Sequence, residues 1–220
     1  MARDDYHEAL DELRADVVSA GEVVVGRLRD ALRALEEKDG ELARRVVEGD
    51  GEVNERYLSI EADCTDIIAL GQPVAGDMRF VVASFKIVTD LERVGDLAVN
   101  VAERATGARR DRFAEVDVQE IGAFAASMVE DSVEAYDEAD VGACRGVAES
   151  DDVLDTRCEG AMRRVVGELA GSARGDADAS VRDAKHLLLT VRDLERVGDH
   201  GVNIAARTVY MVENEDALLR

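Results

Sequence analysis

An all-α fold made of two tandem copies of one helical unit is what this sequence predicts, and three observations predict it. The heptapeptide Asp-Leu-Glu-Arg-Val-Gly-Asp occurs at residues 90–96 and again 103 positions later at 193–199. Each copy leads into a Val-Asn step, at Val99-Asn100 and Val202-Asn203, and self-similarity at a fixed offset marks a repeat architecture. Composition points the same way. There is no Trp, only four Phe, four Tyr and a single proline, Pro73, while Ala, Val, Leu, Glu, Asp and Arg dominate, which favours helices over sheets. Third, apolar residues recur at steps of three and four through most of the chain. With 220 residues there is room for two units of about 100 residues, each able to bury a core. The expected domains are 1–106 and 116–220, two up-down three-helix bundles packed side by side.

The first helix is expected over 6–35, where Leu10, Leu13, Val17, Val24, Leu28, Ala31 and Leu35 follow helical steps. Lys38-Asp39-Gly40 breaks the pattern, and a second helix is expected over 41–70. The Gly71-Gln72-Pro73-Val74-Ala75-Gly76 stretch stops it. Asp77 is the predicted N-cap of a third helix that runs to about residue 105. A polar linker, 106–115, carries Gly107 and the run Arg109-Arg110-Asp111-Arg112. The pattern then restarts, with helices expected over 118–138, 141–169 and 178–212 and a break at 171–176 where the first half has its proline turn. Six long helices result, some spanning roughly 45 Å.

The formal net charge is −22, from 49 acidic against 27 basic residues. Such a surface repels nucleic acid and anionic lipid. The bulk charge reads as a solubility device for a salt-rich cytoplasm, where screening removes the self-repulsion. Cys64, Cys144 and Cys158 show no Cys-x-x-Cys spacing and read as small reduced core residues. No apolar run reaches about 18 residues, and the charged N-terminus leads into no apolar segment. A cytoplasmic protein without membrane insertion or appended domains is the expectation.

On a helical wheel of the third helix, Ile87, Leu91, Val94, Ala98 and Val101 form the buried stripe, and Lys86, Arg93 and Asn100 fall on the solvent side. A second apolar stripe holds Val81, Phe85, Val88 and Val99. Glu92 and Asp96 lie in or beside it, one turn apart. Glu195 and Asp199 stand in the same relation to Ala184, Leu188, Val191 and Val202. Two carboxylates at i and i+4 repel unless a cation or a proton lies between them, and apolar neighbours raise the cost of leaving them unpaired. An all-oxygen, acidic donor set suits hard cations such as Mg²⁺, Mn²⁺, Ca²⁺ or iron.

The second helix of each half offers a matching pair, Asp50 with Asn54 and Asp151 with Asp155. In an antiparallel hairpin these can converge with the first four acids. Gly95 and Gly198, costly inside helices, would let a partner helix or a ligand come close. Asp90 with Arg93 and Asp193 with Arg196, at i and i+3, read as helix-surface ion pairs. His200 falls toward solvent, and the other histidines, His7 and His186, give it no cluster. Ferritin-like di-iron sites need Glu-x-x-His on two helices, and both motifs lack the histidine. No phosphate loop, dinucleotide fingerprint, nucleophile elbow or Cys-His pairing is present, so no enzyme is expected.

At Asp90 to Glu103 and at Asp193 to Ala205 the chain resembles the two repeat motifs of the PhoU family of phosphate-uptake regulators. Gln72-Pro73-Val74-Ala75-Gly76-Asp77-Met78-Arg79-Phe80 is similar to that family's turn between second and third helices, and Asp50 to Asn54 with Ile60-Glu61 is a further match, in the second helix. The resemblance covers nearly the whole chain. It implies a pair of three-helix bundles binding multinuclear metal clusters of iron or other ions, with Glu92, Asp96, Glu195 and Asp199 as the strongest ligands. It also implies a cytoplasmic adaptor that restrains a high-affinity phosphate ABC transporter, through its ATPase subunit, and reports to a sensor kinase. A homodimer is the default assembly. The sequence departs from the family pattern at Asn54, where an acid is common, and at Gly201, where alanine is frequent. Two other classes compete: a carboxylate-bridged metalloenzyme, which would need a general base or nucleophile near the acids, and a structural acidic bundle, which leaves the paired carboxylates unexplained.

Overall fold

The computed structural model describes residues 3–105, 116–171, 177–215 and 218, and seven helical segments fill nearly all of it. They are α1 (Arg3–Glu37), α2 (Gly40–Glu48), α3 (Asp50–Gly71), α4 (Ala75–Ala105), α5 (Val118–Glu138), α6 (Val141–Gly171) and α7 (Ala177–Glu213). The predicted linker 106–115 and residues 172–176 of the second break lie outside the described residues. Among the described residues no helix is long and apolar enough to cross a membrane.

The same turn is built in both halves. Lys38 and Ala139 take left-handed backbone angles, φ 55° and 54°, and the aspartate after each caps the next helix. Asp39 Oδ1 accepts the Glu41 and Leu42 amides, and Asp140 Oδ1 accepts those of Gly142 and Ala143. These caps satisfy donors that the helix itself leaves open. Two expectations are corrected. The second predicted helix is interrupted at Gly49, giving α2 and α3. There Arg27 of α1 inserts its guanidinium, donating to the Val46 carbonyl at 3.4 Å and pairing with Glu52 at 2.9 Å, and a Cβ on Gly49 would collide with it. A side chain entering the helical ladder at a glycine is an ordinary cause of a kink. Asp77 is not the cap of α4, because the helix already starts at Ala75 and the Val74 carbonyl accepts the Met78 amide. Asp77 instead accepts a hydrogen bond from Tyr6 at 3.0 Å.

Each repeat is an up-down-up bundle. In the first, the Cys64 thiol of α3 meets the Val81 carbonyl of α4 and Val53 faces Gly95, an antiparallel register. In the second, Cys158 meets the Val191 carbonyl and Leu154 faces Gly198 in the same sense. The repeats join along two antiparallel seams, α4 with α7 and α1 with α5. Gly21 admits Val133, Gly122 admits Leu32, and Arg14 donates to the carbonyls of Tyr136 and Asp137. Tyr136, fully buried, shares a 2.7 Å hydrogen bond with Ser84 of α4 and stacks on Phe80. The apolar interior is therefore one continuous core spanning both repeats. The predicted α4 stripe of Ile87, Leu91, Val94, Ala98 and Val101 is buried in it, and the three cysteines are buried and free.

Candidate metal centre

Glu92 and Asp96 stand one turn apart on α4, as do Glu195 and Asp199 on α7; the glutamates are half-buried, and the aspartates are open to solvent on one side but partly shielded from it by the neighbouring helix on the other. Gly95 and Gly198 set the distance to the neighbouring helices. A Cβ on Gly95 would lie 3.2 Å from Val53, and one on Gly198 would strike Leu154. That close approach, expected from the two glycines, brings the α3 and α6 pairs to the level of the motif acids.

The electrostatics show the convergence. In the first repeat the Glu92 carboxyl is held above its usual range by burial, then by Asp96 and Asp50, and that of Asp96 by burial and Asp50. In the second repeat Asp151 is raised by burial, then by Asp155 and Asp199; Glu195 by burial, then by Asp155, Asp199 and Asp151; and Asp199 by burial and then Asp155. The second cluster is thus a four-acid set. The first is completed by Asn54, which donates its side-chain amide to Asp50 at 3.3 Å. An amide in that place removes one negative charge from the first set.

Two further observations bear on a cation. Asp151 Oδ1 is buried with no hydrogen-bond partner among the described residues, an oxygen that costs about 1–3 kcal/mol to leave unsatisfied. Yet among the described residues no three His, Cys, Asp or Glu side chains are gathered tightly enough to hold an ion as they stand. The donors are all hard oxygens, the type that suits a hard cation, but as they stand they do not form a closed set around one.

The leading aspartate of each motif does something the sequence reading missed. Asp90 makes no helix-surface pair with Arg93. It reaches from α4 to α7, sharing a 2.8 Å hydrogen bond with His200 Nδ1 and accepting from Asn203 at 3.4 Å. Asp193, only 1% exposed, pairs with Arg104 of α4, and Arg192 adds a contact at 3.3 Å. His200, expected at the surface, is buried. The helical wheel missed this seam because it read the sides away from the apolar stripes as solvent, whereas α4 packs on α1, α3 and α7, and α7 on α4, α5 and α6. The doubled Val-Asn step was the available signal for this seam, since Asn203 is one of its contacts.

A PhoU domain model matches residues 17–105 and again 118–208, most of the chain and both repeats. The chain belongs to the PhoU family. The phosphate-specific transport system accessory protein PhoU homolog of Pseudomonas putida is 32% identical over 96% of this chain and 82% of its own length. The PhoU of Escherichia coli K12 is 29% identical over 96% and 86%. Among solved structures, PhoU from Pseudomonas aeruginosa superposes with a TM-score of 0.87 at 30% identity, covering 96% of this chain and all of that one. The phosphate transport system regulatory protein PhoU from Streptococcus pneumoniae gives 0.88 at 26% identity, covering 96% and 98%. These relatives are named as accessory or regulatory proteins rather than as enzymes, in agreement with the non-enzymatic expectation, and the PhoU fold matches the predicted tandem bundles.

Proposed function

We propose that this PhoU-family chain is a regulator of phosphate uptake that works by docking onto a phosphate ABC transporter, through its ATPase subunit, and holding import down when phosphate suffices. Membership in a family whose relatives are named accessory proteins of the phosphate-specific transport system carries this reading. An acidic surface, long rigid helices and the absence of a spanning helix among the described residues suit a cytoplasmic adaptor. Reporting to a sensor kinase, and acting as a homodimer, belong to the same reading.

Two cation sites complete the proposal. Glu195, Asp199, Asp151 and Asp155 hold one; Glu92, Asp96, Asp50 and Asn54 hold the other, which is weaker by one charge. Iron, Mn²⁺ and Mg²⁺ are the candidate ions, because all the donors are hard oxygens. A bound cation supplies the positive charge that neutralises the mutually repelling carboxylates and fixes α6 against α7. Asp151 carries the argument, since its orphaned oxygen lies beside the acids that raise its pKa.

Elemental analysis of protein purified without chelator, beside a Glu92→Ala/Asp96→Ala/Glu195→Ala/Asp199→Ala variant in matched salt, tests the sites. Metal in the parent, absent from a variant of equal helicity, is the expected result. No metal in the parent even after loading with Mn²⁺ or Fe²⁺ removes the cation from the proposal and leaves docking alone. Docking is tested by co-elution with the purified ATPase subunit, and a parent that never co-elutes refutes that part.

A further inference from the structure

The end of the first repeat carries a surface that neither the core nor the acid clusters use. Leu70 is 63% exposed, Val74 69% and Ile68 40%, large apolar side chains grouped around the connection from α3 to α4. The connection is held in one shape. Gln72 has φ 52°, Pro73 follows it, and Tyr6 packs against Gly71 so closely that a Cβ there would strike its ring. Tyr6 also donates to Asp77, fixing the first turn of α4 on the far side of the connection. Exposed leucine and valine on a braced turn are presented rigidly, so little ordering cost attends their burial by a partner.

Acids lead up to this tip along one stripe. Asp63, Asp66 and Leu70 succeed one another on α3 at steps of three and four, which places them on one face. Asp16 of the neighbouring α1 stands within electrostatic reach of Asp63, whose carboxyl is raised by burial first and then by Asp16 and Asp66. Asp16 and Asp66 are exposed. None of the three acids takes part in an ion pair among the described residues.

The fold does not require this arrangement. The two repeats align at an offset of 101 along their second helices, as Val53 against Gly95 and Leu154 against Gly198 show. At that offset Arg164, Gly167 and Gly171 replace Asp63, Asp66 and Leu70. The acidic stripe and Leu70 are therefore a property of one repeat, added to a shared scaffold.

We propose that Asp16, Asp63, Asp66, Leu70 and Val74 form a docking surface for a basic amphipathic helix of the protein partner, with Leu70 and Val74 entering an apolar pocket and the aspartates pairing with its Lys or Arg side chains. Charge decides the occupant. A second copy of this chain would bring another strongly acidic molecule against the same aspartates, like charges that oppose association, whereas a basic helix meets them favourably. Seven residues of α3 separate Asp63 from Leu70, a rise of about 10 Å, so two turns of partner helix span the stripe. The proposal rests on the reading that the chain docks onto the transporter's ATPase subunit.

The test measures the affinity of the full chain for that purified subunit at low and high salt. Leu70→Ser/Val74→Ser is expected to weaken binding at least tenfold at every salt concentration. Asp16→Asn/Asp63→Asn/Asp66→Asn is expected to weaken it at low salt and to flatten the salt dependence, because the charge contribution is the part that salt screens. Val166→Ser, an exposed position on α6 of the other repeat, should bind as the parent does, and circular dichroism confirms that all three variants keep their helices. A parent that binds while both tip variants bind equally well overturns the docking surface and leaves the transporter reading standing. A parent that does not bind overturns the reading and the surface with it.

Discussion

At the scale of single residues, the carboxylates of the two clusters govern how this protein responds to acid. Glu92, Asp96, Asp151, Glu195 and Asp199 are all raised in the folded chain, by burial and by one another. A raised acid binds its proton more tightly folded than unfolded. Its contribution to stability is therefore complete below the unfolded pKa and is lost as pH rises through the folded one. Chelator-treated protein should gain thermal stability as pH falls from neutral toward about 5, the upper edge of the carboxylate range. On the proposed cation sites, Mn²⁺-loaded protein should lose that gain, since the cation would supply the missing charge; melting curves at several pH values with and without metal measure both. The motif acids were legible in the sequence because pairs at i and i+4, repeated at one offset, are a local pattern. Their α3 and α6 partners were legible only as candidates, since the register between helices depends on Val53 meeting Gly95 and Leu154 meeting Gly198, contacts that no local pattern states.

At the scale of the element, glycine placement decides how tightly the helices pack. Gly201 sits where a Cβ would lie 3.2 Å from the backbone carbon and oxygen of Met128 on α5, whereas Gly160 on α6 faces open space. Backbone cannot swing aside as a side chain can. Gly201→Ala should destabilise by about 1 kcal/mol even after its gain in helix propensity, and Gly160→Ala should stabilise by about 0.5–1 kcal/mol. Urea unfolding of both variants checks the pair, and equal effects would show that backbone clearance is not what separates them. The departure from the family at Gly201, visible in the sequence as an oddity, thereby acquires a steric reason. The interruption at Gly49 was less accessible: Glu-Gly-Asp-Gly reads as a weak spot in a helix, but the kink depends on Arg27 arriving from α1, 22 residues earlier. Helix type and approximate extent were legible throughout, because long stretches of period-3.6 burial leave little ambiguity.

At the scale of the whole molecule, the two repeats are fastened by contacts that break their symmetry. Asp193 pairs with Arg104, whereas Asp90 takes His200 and Asn203. The Nε of Arg207, the repeat counterpart of Arg104, is buried without a partner among the described residues. Asp193→Ala, which strands the largely buried Arg104 guanidinium, should cost about 3 kcal/mol. Asp90→Ala should cost about 1–2 kcal/mol, the range for losing hydrogen bonds; chemical denaturation ranks the two. A net charge of −22 further predicts that the melting temperature rises as salt is added and self-repulsion is screened, which scanning calorimetry in graded KCl would show. This seam was the part of the molecule least legible in advance, since a tandem repeat suggests two self-sufficient units side by side, and the doubled Val-Asn step was its one local trace. The merged interior has a consequence for inheritance. A duplicated unit ordinarily frees one copy to drift while the other keeps the original task. Here Tyr136 of the second copy completes the packing of Ser84 and Phe80 in the first, so a lesion in either copy is felt by both, and a change on the shared face of one half calls for an answering change in the other.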